Sequence, residues 1–112
     1  MADNKHYITQ SQENGNVMIS DQVLVNIIFH AVGEVEDVSL SGKPGINWGK
    51  GIKVIISEDD KVAVKVYINV NYNHSVTTAA AAVQESIRTA LESMTGVEVS
   101  SVNVEIVGIS RQ

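Results

Sequence analysis

The chain has 112 residues, 13 of them acidic and 8 basic, for a net charge of −5, and it contains no cysteine. That length suits one domain able to bury about 65% of its unfolded surface. Disulfides and thiolate metal sites are excluded, and the negative charge opposes nonspecific attraction to nucleic acid or anionic lipid. The polar N-terminus lacks an apolar signal core, and no stretch approaches the roughly 20 apolar residues that span a bilayer. The sequence therefore predicts a cytoplasmic protein with no direct membrane insertion.

Residues 1–15 show no periodicity and are expected to form a disordered tail, leaving 16–109 as a single domain. Val17, Met18 and Ile19 form a brief apolar run that reads as a short strand. Ser20 then suits a helix N-cap, with Asp21 favourably placed in the first turn. Leu24, Ile27, Ile28, Ala31 and Val35 share one helical stripe, and Val25, Phe29 and Val32 form a second beside it. A helix apolar over so much of its circumference lies deep between a sheet and another helix, or offers Val25, Phe29 and Val32 to a subunit or partner.

Residues 33–37 end that helix, and Val38 and Leu40 read as a short strand. The segment SGKPGINWGKG, residues 41–51, holds four of the eight glycines and the sole proline, so it is a loop. Trp48, the only tryptophan, lies in it and either pins the loop to the domain or anchors a partner. Ile52, Val54 and Ile56 alternate with Lys53, Ile55 and Ser57, and SEDD follows as turn residues. The next stretch, KVAVKVYINVNY at 61–72, is the most regular in the chain. Its even positions are all apolar and its odd positions mostly polar or small, which reads as one long strand in an antiparallel hairpin with the strand before it.

Asn73 tolerates a left-handed backbone and Ser75 can cap a second helix. Val76, Ala80, Val83, Ile87, Ala90, Leu91 and Met94 recur at helical spacing, with Gly96 as a C-terminal cap. Val97, Val99, Val102, Val104 and Ile106 form a last strand whose parity changes near Ser100 and Ser101, as a β-bulge would produce. The predicted order is β-α-β-β-β-α-β, an α+β domain with a mixed, mainly antiparallel sheet. The crossover helix sets the last strand parallel to the long one, and both helices cover the even face. The odd face, with Lys53, Ile55, Lys65 and Tyr67, is left open or meets a partner.

Little of this suggests catalysis. His6, His30 and His74 have no companion histidine at ligand spacing, and no Ser, Thr or Tyr has an evident base. Glu58, Asp59 and Asp60 lack the alternating ligands of a calcium loop. GINWGKG at 45–51 resembles a phosphate loop but is one residue short, has glycine where a hydroxyl is needed, and leads into a strand. Gly42 to Gly45 spell the GXXG of a KH domain, but between strands rather than helices. The alternative function is therefore a small KH-like RNA-binding domain with Lys43, Lys50, Lys53 and Lys65 as a basic edge, although nucleic acid is disfavoured by the overall charge. No cofactor and no metal is implied, and the residues favour a non-enzymatic interaction protein.

Five segments taken in order carry a resemblance: GNVMISDQV at 15–23, GKGIKV at 49–54, VYINVNY at 66–72, VQESI at 83–87, and MTGV at 94–97 leading to VNV at 102–104. Together they resemble the alkaline shock protein family of Gram-positive bacteria, also called the envelope stress response or general stress family. One departure is Asn73, where relatives usually carry glycine. The resemblance implies a scaffold in cell-envelope stress response and homeostasis that self-associates. It also implies a peripheral position at the inner face of the membrane, held by a membrane-anchored protein partner. It brings no catalytic residue.

Overall fold

The computed structural model describes residues 6–41, 51–71 and 75–110. Its elements are β1 (Tyr7–Gln12), β2 (Gly15–Ser20), α1 (Asp21–Gly33), β3 (Val38–Leu40), β4 (Ile52–Ile56), β5 (Lys61–Asn71), α2 (Val76–Thr95) and β6 (Glu98–Ser110). From β2 onward this is the predicted order. The central element is β5, whose even side chains Val62, Val64, Val66, Ile68 and Val70 are all buried. They pack with Leu24, Ile28, Ala31 and Val32 of α1 and with Ala79, Val83, Ile87 and Leu91 of α2. Burying each valine, leucine or isoleucine here contributes about 1.5–3 kcal/mol, so this shared interior sets the fold.

Every described position along β5 has neighbours fixed by register. β6 runs parallel to it over its whole length, from Lys61↔Glu98 to Asn71↔Ser110. On the opposite edge β4 pairs antiparallel with the first half, Ile56↔Val62 to Ile52↔Val66, and β3 with the second, Leu40↔Ile68 to Val38↔Val70. β3 and β4 thus lie end to end, like one interrupted strand. The junction is Tyr67, whose carbonyl accepts from Ser41 N–H at 2.8 Å and whose N–H donates to the Gly51 carbonyl at 3.0 Å. Gly51 has φ +80°, and a Cβ there would collide with the Ser41 carbonyl, so the close approach of these two stems requires glycine.

The helix ends follow the sequence. Ser20 Oγ accepts from Val23 N–H, Ser75 Oγ from Thr78 N–H, and Gly96 closes α2 at φ 74° with its N–H on the Glu92 carbonyl. The parity change in β6 is a bulge: Val62 pairs with Val99 but Ala63 with Ser101, leaving Ser100 extra, and its hydroxyl donates to the Val62 carbonyl at 3.2 Å. A second irregularity at Val107 sets Gly108 against Asn69.

The predicted tail is corrected in part. Tyr7–Gln12 is a strand that pairs antiparallel with β2 from Tyr7↔Ser20 to Gln12↔Gly15, forming a separate two-stranded ribbon. Only Ile8 of it is buried, so one apolar anchor carries no periodic signal. The ribbon is tied down by backbone and side-chain bonds, Asp21 N–H to the His6 carbonyl and Gln10 Nε2 to the Thr95 carbonyl, both at 2.8 Å. The glycine-rich segment with Lys43, Trp48 and Lys50, and His74, expected from sequence to be a turn residue, lie outside the described residues.

Candidate interaction surfaces

The eight residues proposed from sequence as a contact surface separate into groups. On α1, Val32 is 1% exposed and belongs to the core, Val25 is half-buried against it, and Phe29 is 39% exposed. The reason is direction: Val32 follows Leu24, Ile28 and Ala31 into the interior, whereas Phe29 turns outward beside His30, their rings edge-on at 5.7 Å. Phe29 borders a hollow of ≈ 480 Å³ between the end of α1 and β3. Val32 thus follows the buried reading of the helix, and its place as a candidate contact residue is corrected to core packing.

On the odd sheet face Lys53, Ile55 and Lys65 are half-buried around a shallow hollow of ≈ 170 Å³. Tyr67 is corrected likewise, being 3% exposed, with the Lys65 ammonium 5.4 Å from its ring centroid. The lysines here are largely neutralised. Lys65 pairs with Glu105 at 3.6 Å, and Lys61 with Asp59 at 3.8 Å and Glu98 at 3.7 Å. Such half-exposed pairs contribute little to stability but remove the unbalanced positive field that an RNA backbone needs. Trp48 lies among the residues not described.

A larger feature was not singled out from the sequence. A groove of ≈ 600 Å³ runs between α1 and the C-terminal part of α2. Val23, Ile27 and Ala31 form one wall and Ala90 and Met94 the other, with Asn26, His30 and Glu34 along the outer edge. Ala31 and Ala90 both line it, and their short side chains leave unfilled space that larger ones would occupy. Met94, expected in the α2 core stripe, is 68% exposed at its mouth, and Val23 is 44% exposed. The available signal was an alanine on each helix, which sequence alone cannot bring together at one groove.

The chemistry of the described residues is sparse. Among them no three His, Cys, Asp or Glu side chains converge as a metal site would require. His6 Nδ1 lies 3.1 Å from Asp21 Oδ2 at the exposed start of α1. The Asp59 carboxyl is held below its ordinary value chiefly by the Ser57 hydroxyl, in a solvent-facing turn.

Comparison with known proteins adds the lineage. Residues 9–111 match the Asp-23 family, described as having a cell envelope-related function. The chain belongs to this family. The uncharacterized protein YqhY of Bacillus subtilis (strain 168) is 36% identical over 107 residues, covering 85% of this chain and 77% of that protein. An uncharacterized protein of Streptococcus pyogenes serotype M6 is 31% identical over 102 residues, covering 85% and 79%. Among solved structures, variant forms of the MamM CTD superpose with TM-score 0.50 at 16% identity, spanning 79% of this chain and 94% of theirs. That likeness concerns the fold. The alkaline shock resemblance read from the five segments and the family match denote the same family, and no helix among the described residues is long and apolar enough to cross a membrane.

Proposed function

We propose that this member of a cell envelope-related family is a non-enzymatic cytoplasmic scaffold that serves envelope stress response and homeostasis. A membrane-anchored protein partner recruits it to the inner face of the membrane, and copies of it self-associate. The observation that carries this reading is the family match across nearly the whole described chain. The geometry supports it: exposed apolar side chains, Val23, Phe29 and Met94, sit on a helical layer rather than inside an enclosed cleft.

A protein receptor is preferred to lipid on electrostatic grounds. α1 has no lysine or arginine, and α2 has Arg88 alone, so neither helix offers the basic rim of a lipid-surface helix. With a net charge of −5 the chain is repelled by anionic lipid. Purified protein should stay in the supernatant when anionic liposomes are sedimented at low salt. Sedimentation that salt reverses would overturn recruitment through a protein.

A further inference from the structure

We infer that the second half of β6 pairs antiparallel, across a two-fold axis, with the same stretch of a second copy; this rests on the self-association proposed above and names its surface. Among the described residues β6 has a strand partner on one side alone, so its other side presents backbone N–H and C=O groups that another strand completes. α2 covers the first half, with Gln84 on the Val102 carbonyl and Arg88 on the Val99 carbonyl. Beyond it Val107 and Ile109 stand exposed.

Charge, shape and side chains select a second copy as the occupant. The stretch Ile106 to Ser110 reads IVGIS, without a charged residue, and Glu105 before it lies 3.6 Å from the Lys65 ammonium. The edge therefore sets no unbalanced carboxylate against its own image, although the chain carries a net charge of −5. Edges that must stay single are commonly guarded by lysine or proline, and this stretch has neither. The register of β6 against β5 slips between Ile68 and Asn69, leaving Val107 extra, and a bulged strand bends there. A strand bent at that point is matched along its length by one bent at the same point, which the two-fold supplies. With the axis at Gly108, Val107 lies opposite Ile109 of the second copy, and Ile109 opposite its Val107. Each copy then covers the other's exposed β-branched pair. Such pairing uses up both β6 edges, so assembly closes at two. Laying β6 on the shorter β3 and β4 of another copy would leave one β6 free at every stage and build a filament.

The shared edge is narrow, so the dimer depends on concentration. Sedimentation velocity at rising protein concentration should show monomer passing to dimer and no further. Val107→Lys combined with Ile109→Lys sets ammonium groups against one another across the axis and should weaken the dimer about tenfold, with helical circular dichroism retained. Disulfide trapping answers the same question without the lysine variant. The chain has no cysteine, so Val107→Cys protein mixed with Ile109→Cys protein and mildly oxidised should give the mixed disulfide in preference to either homodimer. A dimer that survives both lysines and shows no such preference, or growth beyond the dimer, would overturn the β6 pairing and leave self-association standing through another surface. A monomer at every concentration would overturn both.

Discussion

Gly51 is the residue on which the edge of the sheet turns. Its φ of +80° and its contact with the Ser41 carbonyl mean that Gly51→Ala meets both left-handed strain and a backbone clash. Gly96 shares the left-handed backbone, at φ +74°, but its nearest neighbour to an added Cβ is the flexible Gln10 amide at 3.9 Å. Urea unfolding should therefore show Gly96→Ala losing ~1 kcal/mol and Gly51→Ala at least twice that. Equal losses would remove the close-approach account. Val32 and Phe29 make a second contrast: Val32→Ala should cost about 2 kcal/mol and Phe29→Ala under about 1 kcal/mol in the same assay. At Asp59 the Ser57 hydroxyl is the main cause of a lowered pKa. A carboxyl depressed in the folded state favours folding above the ordinary carboxylate range and ceases to do so as pH falls through the depressed value. Ser57→Ala should move the Asp59 NMR titration upward, and an unchanged midpoint would clear the hydroxyl of that role.

Among elements, β6 is the most exposed to mispairing. It runs 13 residues and, among the described residues, pairs on one side alone. Bare edges of that length invite association with other strands. Here α2 leans over the first half: Gln84 Nε2 donates to the Val102 carbonyl and Arg88 NH1 to the Val99 carbonyl, both at 3.0 Å. The second half leaves Val107 38% and Ile109 57% exposed. Gln84→Ala combined with Arg88→Ala should raise concentration-dependent association in light scattering while helical circular dichroism is retained. No rise would mean that these side chains do not guard the strand.

The same elements show what a sequence can disclose. Strict alternation in β5 and capping residues at Ser20, Ser75 and Gly96 are local signals, so the central strand and both helices were legible. The ribbon was not, since β1 is held by pairing with β2 and by Gln10 reaching Thr95, contacts that no local pattern announces. The choice between core and contact at Val32, and the burial of Tyr67, stay hidden in the sequence because a helix or strand position gives a face but not what lies on that face. The groove was hidden for the converse reason: Ala31 and Ala90 look like packing residues until the helices are set side by side.

At the scale of the whole molecule, the two layers differ in kind. The sheet carries Lys61 and Lys65 matched by acids, while the helical layer harbours an apolar trough lined by one acid, Glu34. With a net charge of −5 and Arg88 as the only lysine or arginine on its two helices, the molecule is unsuited to lie on anionic lipid. The direct test is binding to inverted membrane vesicles from cells that make the protein, compared with the same vesicles after protease shaving and with liposomes of their extracted lipid. Saturable binding to intact vesicles, lost on shaving and absent from the liposomes, is the predicted result. Undiminished binding to shaved vesicles or to pure lipid would contradict the proposal that a protein holds this chain at the envelope.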